Sequence, residues 1–309
     1  MLKFQLSEVP LFGTVPSNHP GEHNLSPVIH DFAAKVRWRM AHDRNPVFPI
    51  LQDKVAVKEY AMQRGVASPE LLFVTDDPSS IQLDQLPDSC FIKANHGCGW
   101  NFLRQNRLLY FFGNGNALLT RDGDLVEGTA RSRFLLSRDR FVDLCWQMLR
   151  ARHSKQEWAY QLIQPRILAE EKLQSETGGE LTDYRFYVFH GVVRAINVGS
   201  ASYRRNHENV FLSPDWLPFQ LTRYKERIPD PLPARPDGLN EMVQAAERLG
   251  RGLDFVRVDL YQSTRGIMLG EMTLYPEAGH PDTPTGCARF NQWLADAWQS
   301  PSMPIAPSA

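Results

Sequence analysis

The stretch Asp254-Phe255-Val256-Arg257-Val258-Asp259-Leu260-Tyr261, followed after a short polar turn by Met268-Leu269-Gly270-Glu271-Met272-Thr273, decides how the rest of the chain is read. Apolar and polar residues alternate through both pieces, the period of a β-strand with one face on a core. Side chains two apart share a face, so Arg257, Asp259 and Tyr261 stand together on the first strand and Glu271 and Thr273 on the second. A short turn makes the two strands a hairpin and brings the carboxylates of Asp259 and Glu271 together. Carboxylates are costly to keep beside Val258 and Leu269 unless a cation meets them, and a converging pair suits an oxygen-seeking Mg²⁺ that itself carries nucleotide phosphates. The same residues would equally suit a solvated strand face with ordinary cross-strand ion pairs.

Working outward, Leu239 to Leu249 has the apolar spacing of a helix closed by Gly250, and Tyr184 to Phe189 with Val192 to Val198 forms a second hairpin around His190-Gly191. The proline-rich segment 229–237 reads as loop. Upstream, Arg138 to Arg152 is an amphipathic helix with Phe141, Leu144, Cys145, Met148 and Leu149 on one side. Tyr160 to Leu173 reads as two short extended pieces separated by Pro165. Leu71 to Val74 and Ser89 to Ala94 are strands, the second running into a turn at His96-Gly97-Cys98-Gly99. Helical patterns cover 29–40 and 53–64, the latter ending at Gly65, while 1–30 reads as an extended arm and 113–128 as loop. Helices mixed with late hairpins predict an α+β fold. The expected division is an N-terminal segment 1–75, a central lobe 76–170, a C-terminal lobe 171–300 and a tail 301–309.

The 34 basic and 35 acidic side chains among 309 residues nearly cancel, which gives no electrostatic reason for a nucleic acid or an anionic membrane as partner. No run is long and apolar enough to insert in a bilayer, and the first residues lack the pattern of a secretory signal, so the expected location is the cytoplasm. The four cysteines, Cys90, Cys98, Cys145 and Cys287, show no close pairing and are expected as free thiols. The nine histidines form no ligand motif, so any metal is expected on oxygen.

A strand bearing R-x-D, a turn, and a strand bearing E-x-T resembles the metal-binding end of ATP-grasp ligases. That resemblance implies ATP and Mg²⁺ as cofactors, Asp259, Glu271 and Thr273 as metal ligands, and Arg257 aimed at phosphate or acyl-phosphate oxygens. Thr273 stands where the pattern usually has Asn, and a hydroxyl is a weaker ligand than an amide oxygen. Further matches follow in chain order. Lys54 and Lys93 resemble the two phosphate lysines, and Lys93 leads into the loop with His96, Gly97, Cys98 and Gly99, whose backbone N–H groups would meet phosphate. Glu170, Glu171 and Leu173 lie on a stretch similar to the strand that reads adenine, and Asp183 falls where an acid meets the ribose, although a turn aspartate is as good a reading. Arg185 and the Arg204-Arg205 pair are candidates for an acidic substrate or phosphate, and Arg257, Lys93 and Arg185 are the expected catalytic cations. From Asp53 to Gly279 the pattern, with Asp183-Tyr184-Arg185-Phe186 and Pro165-Arg166-Ile167, looks like the TupA-like ATP-grasp group, associated with polysaccharide or teichuronopeptide biosynthesis. The fold implied is two α+β lobes clamping ATP. The activity implied is amide formation from small-molecule or saccharide carboxylate and amine substrates.

Val55-Ala56-Val57-Lys58 imitates the lysine strand of a protein kinase, but no glycine-rich loop precedes it and no His-Arg-Asp loop follows. A phosphotransferase, an adenylating ligase and a non-catalytic nucleotide-binding protein remain as alternatives. The oligomeric state is not readable, and a homodimer is compatible with the sequence.

Overall fold

The computed structural model describes residues 31–113, 133–151, 153–176, 178–179, 181–200, 210–219, 231–281, 283–285 and 287–300. The arm read at 1–30, most of the loop at 113–128, the Arg204-Arg205 pair and the tail 301–309 lie outside the described residues.

Helix α1 (Phe32–His42) starts where the Asp31 carboxylate accepts the Ala34 N–H at 2.6 Å, and it buries Phe32, Val36 and Met40. Two short helices follow, α2 (Phe48–Gln52), with Pro49 in its first turn, and α3 (Ala56–Met62). The single helix expected over 53–64 is therefore shorter, and Lys54 lies in the turn before it. Past α3 the chain turns at Gly65, whose φ of +67° is open to glycine at little cost.

The first sheet contains β1 (Leu71–Thr75), β2 (Ser89–Ala94), β3 (Trp100–Gln105), β4 (Leu108–Gly113), β5 (Arg133–Leu135) and β6 (Ile167–Glu171) in the order β1-β6-β2-β3-β4-β5. Its neighbouring strands pair antiparallel. Helix α4 (Arg138–Arg150), capped by Ser137, lays Phe141, Leu144, Cys145 and Met148 against Ile92, Phe102 and Phe111 of that sheet. Tyr160, expected in an extended piece, is instead in α5 (Trp158–Gln161), one helical turn before the extended approach to β6.

The second sheet contains β7 (Thr182–Phe189), β8 (Val192–Ser200), β9 (Val210–Leu212), β10 (Phe255–Ser263) and β11 (Gly266–Thr273) in the order β11-β10-β7-β8-β9, again antiparallel. Its core holds α6 (Leu239–Gly250) through Leu239, Met242, Ala246 and Leu249, and α7 (Ala288–Ala297) through Phe290 and Leu294. Gly250, expected as a cap, is the last residue of α6, and the turn beyond uses Gly252 at φ +83°. The α+β expectation holds, as two antiparallel sheets each covered by helices.

Helices α1 to α3 bury their apolar faces in the core of the second sheet, whereas β1 belongs to the first. Buried Arg39 binds this arrangement together: its guanidinium donates to the Phe255 carbonyl at 2.8 Å, pairs with Asp254 and lies 4.3 Å from the Trp298 ring centroid. Among the described residues no helix is long and apolar enough to cross a membrane.

Candidate functional site

Strand register sets the site. Across the second sheet Asp259 of β10 faces Arg185 of β7 on one side and Glu271 of β11 on the other. The next row holds Tyr187, Arg257 and Thr273. A bulge after Asp259 shifts the pairing, and Tyr261 stays on the lining of the same cavity. The alternation in the sequence thus puts both carboxylates and the cations on one face while Val256, Val258 and Leu260 fill the core.

That face forms one wall of a cavity of about 240 Å³ between the sheets. The opposite wall carries Lys93 of β2, Cys98 and Gly99 of the glycine loop, Asn101 of β3, Glu170 of β6, and Lys54 and Lys58 from the α3 region. Five cations and four carboxylates share the lining, a mixture chemically suited to an anionic ligand accompanied by a cation.

Arg257 grips Asp259 with two bonds, Nε to Oδ1 at 2.8 Å and Nη2 to Oδ2 at 2.7 Å. Burial still lifts the Asp259 carboxyl to about 6, against Arg257 and with the help of Asp183. Arg185 donates to Asp183 Oδ2 at 2.8 Å and to Asn197 Oδ1 at 3.2 Å, while Asp183 Oδ1 is buried without a partner. Glu271 is different: no hydrogen bond or ion pair from the described residues holds its carboxylate. Burial pushes it up, yet Lys54, Arg257, Lys93 and Arg185 outweigh that and keep it below the usual glutamate value. Thr273 Oγ1 is buried and without a partner.

On the first sheet Glu170 receives two lysines, Lys93 on Oε1 and Lys58 on Oε2, the latter at 3.0 Å. Burial raises its carboxyl, but Lys93 and Lys58 together hold it at about 2. Burial in turn pulls Lys58 below the ordinary lysine range against the pull of Glu170. Lys54 donates through Nζ to the Gly97 carbonyl at 2.5 Å, so it is tied to the glycine loop. Its backbone is set by Asn95, whose carbonyl accepts the Lys54 N–H at 3.1 Å. The Asn95 side chain donates to Asp53 Oδ1 and to the Gln164 carbonyl, each at 3.0 Å, and accepts from the Arg166 N–H at 2.7 Å.

Of the residues expected from sequence, Lys54, Lys93, Cys98, Gly99, Glu170, Asp183, Arg185, Arg257, Asp259 and Glu271 all line this one cavity. Five do not. His96 is buried with its ring between Asn95 Oδ1 and the Met148 carbonyl, each 3.1 Å away. Gly97 offers its carbonyl to Lys54 and has Trp100 against it, a Cβ there falling 2.8 Å from the indole. Glu171 turns away to Arg265 and the Glu70 N–H, Leu173 is buried, and Thr273 lies one row behind the cavity. Sequence reasoning missed Lys58, set aside as a kinase imitation; its spacing of four from Lys54 across a helix start was the available signal. Asn95, between the strand and that loop, carries no motif that announces its bonding role.

A family model described as TupA-like ATP-grasp matches residues 134–298, more than half of the chain. No curated protein matches. Among solved structures, D-alanine–D-alanine ligase from Bacillus anthracis in complex with ATP is similar over 81 % of this chain and 63 % of its own, with 12 % identity and a TM-score of 0.41. A RiPP-associated ATP-grasp ligase from Chryseobacterium gregarium, in complex with ADP and a leader and core peptide, is similar over 82 % and 61 %, with 13 % identity and a TM-score of 0.38. This chain spans less than two thirds of the length of either ligase.

Proposed function

The chain belongs to the TupA-like ATP-grasp family, and from that premise we propose that it is an ATP-dependent, ADP-forming ligase that joins a carboxylate to an amine through an acyl phosphate. The observation that carries the reading is the opposition of Asp259 and Glu271 in one cavity with Lys54, Lys93, Arg185 and Arg257. Triphosphate charge is the dominant problem in phosphoryl transfer, and four fixed cations address it.

The donors fit Mg²⁺. Asp259 and Glu271 would be paired oxygen ligands, Glu271 is held by no donor among the described residues, and Thr273 Oγ1 is an unpartnered hydroxyl behind them. Among the described residues no three acids, histidines or cysteines cluster as a metal site by themselves, in keeping with an ion whose remaining ligands are phosphate and water. When bound, the ion would offset charge on the phosphate oxygens.

In this assignment Lys54 and Lys93 hold phosphates with the backbone of the 96–99 loop. Glu170, its orientation fixed by two lysines and with lone pairs to spare, meets the adenine edge without Glu171 and Leu173, which lie off the cavity, and Asp183 meets the ribose. The substrate carboxylate attacks the γ-phosphorus and ADP leaves. Arg257 and Arg185 stabilise the transferring group, and an amine then displaces phosphate to leave an amide. An amino acid joined to a sugar acid or peptide, in polysaccharide or natural-product biosynthesis in the cytoplasm, is the substrate assignment we favour. The test is amine-dependent release of ADP and phosphate. Asp259→Ala and Glu271→Ala should each lower it by about a hundredfold or more with unchanged circular dichroism. Wild-type turnover in both variants would end the proposal.

A further inference from the structure

The cavity lining holds an ion pair whose second cation the proposed chemistry does not use. Lys58 of α3 places Nζ 3.0 Å from Glu170 Oε2 and donates to the Pro69 carbonyl at 2.7 Å, while Lys93 takes Oε1. The Lys58 and Glu170 side chains are nearly buried, 13 % and 9 % exposed, and both line the cavity. The segment that anchors Lys58 is itself fixed, because the Ala67 carbonyl accepts the Leu269 N–H of β11 at 2.7 Å. Val57, next to Lys58 on α3, and Leu269 line the same cavity, so apolar surface for a flat ring accompanies the charged pair.

One lysine suffices to neutralise one carboxylate. The second has a reason once a nucleotide is bound: Lys93 is also assigned to phosphate, and the more it gives to phosphate the less it gives to Glu170. A buried carboxylate that loses its cation takes up a proton or turns away. Lys58 has no such second duty. Among the described residues its Nζ hydrogen-bonds only Glu170 and the Pro69 carbonyl, which leaves its third N–H for a ligand. Burial raises the Glu170 carboxyl, but Lys93 and Lys58 together hold it at about 2, so at neutral pH it is an anion that can only accept.

We propose that Lys58 is the resident counter-ion of Glu170 and that, by keeping this carboxylate an acceptor, it selects a nucleotide whose base carries an exocyclic amino group. The inference rests on the ATP-dependent reading and adds to it the residue that sets the choice of base. A 6-amino purine turns an N–H toward Glu170 and has beside it a ring nitrogen that accepts the third N–H of Lys58. A 6-oxo purine reverses both contacts: its carbonyl oxygen meets a carboxylate and its ring N–H meets an ammonium. With sugar and phosphates held by Asp183, Lys54 and Lys93, the base cannot slide to exchange the two contacts. Without Lys58, Glu170 loses its cation whenever Lys93 serves phosphate. Once protonated it donates to a carbonyl as readily as it accepts from an amine, and the choice is lost.

The experiment is calorimetric titration of the full chain with ATP and with ITP, each with Mg²⁺, and it needs neither the carboxylate nor the amine substrate. ITP carries the 6-oxo edge in place of the 6-amino edge. The wild type should hold ATP about a hundredfold or more tighter than ITP. Lys58→Met should bring that ratio within about tenfold by weakening ATP more than ITP. Lys58→Gln keeps a donor for the Pro69 carbonyl and takes its place should the Met variant fail to fold, with the same ratio expected. A lysine that serves structure alone would weaken both nucleotides alike. An unchanged ratio in a folded variant therefore overturns the inference, as does a wild type that holds the two equally. A wild type that binds neither nucleotide sinks the ATP-dependent reading, and this inference with it.

Discussion

Lys58 shows how much one side chain can matter when it is read from its partner rather than from a motif. It and Lys93 compensate the buried Glu170 carboxylate from two different elements, α3 and β2, and that double compensation holds the carboxyl at about 2 instead of its ordinary 4.5. The sign of the pH effect follows from this depression. The contribution to stability is complete above the unfolded value of 4.5 and is lost as pH falls from there through the folded value of about 2. Lys58→Met removes one of the two cations, so we expect the Glu170 carboxyl to titrate higher, the acid-sensitive window to move up, and unfolding at neutral pH to cost about 1–3 kcal/mol less. Carboxyl ¹³C titration and urea denaturation measure both, and an unmoved Glu170 titration would mean that Lys93 compensates it alone.

At the scale of elements, the β10–β11 hairpin works because the residue at its bulge, Gly270, leaves room for the Tyr261 ring. A Cβ on Gly270 would fall 2.5 Å from the Tyr261 ring and 3.2 Å from the Asp259 carbonyl. Gly270→Ala must therefore push the ring across the cavity floor or spread the strands at the bulge beside Asp259. We expect a stability loss of about 1–3 kcal/mol together with a smaller thermal shift on adding ATP and Mg²⁺. An unchanged shift would place Tyr261 outside the ligand's footprint. This hairpin and β7–β8 were legible in the sequence because period-two alternation and a His-Gly turn, at φ +51° and +76°, are local signals. The β3–β4 hairpin was not. Its turn residues Asn106 and Arg107 take φ +52° and +64° without a glycine to announce them, held by the pairing of the flanking strands. Tyr160 and Gln161 of helix α5 fall in a stretch that reads as extended because one turn is too short to show a period and Pro165 marks a later boundary. The site residues were legible where chemistry and alternation coincide, as at Asp259 and Glu271. They were not where a side chain is brought in by tertiary contact alone, as at Asn95.

At the scale of the molecule, two hydrophobic cores with separate sheets must hold a common cavity in register, and polar groups among the described residues tie one to the other. Asn95, fully buried at the end of β2, is the densest of them. Its side chain and backbone meet Asp53 and Lys54, which precede α3 on the second core, and Gln164 and Arg166, which lead into β6 of the first sheet. Arg166 closes the circuit by reaching Asp53 Oδ2 at 3.2 Å. Truncating Asn95 to Ala would leave the Arg166 N–H without its side-chain partner and Asp53 Oδ1 with only the Val55 N–H, in a space too enclosed for easy rescue by solvent, a loss of about 1–3 kcal/mol. The loss should not be spread evenly. Each core keeps its own packing, so the Asn95→Ala protein should unfold in two resolved calorimetric steps where the wild type shows one, and ATP with Mg²⁺ should bring the steps back together by bridging the walls that Asn95 no longer fixes. A variant that loses this stability yet melts in a single step, with or without nucleotide, would show that the cores are coupled by their packed helices and that Asn95 serves only its own neighbourhood.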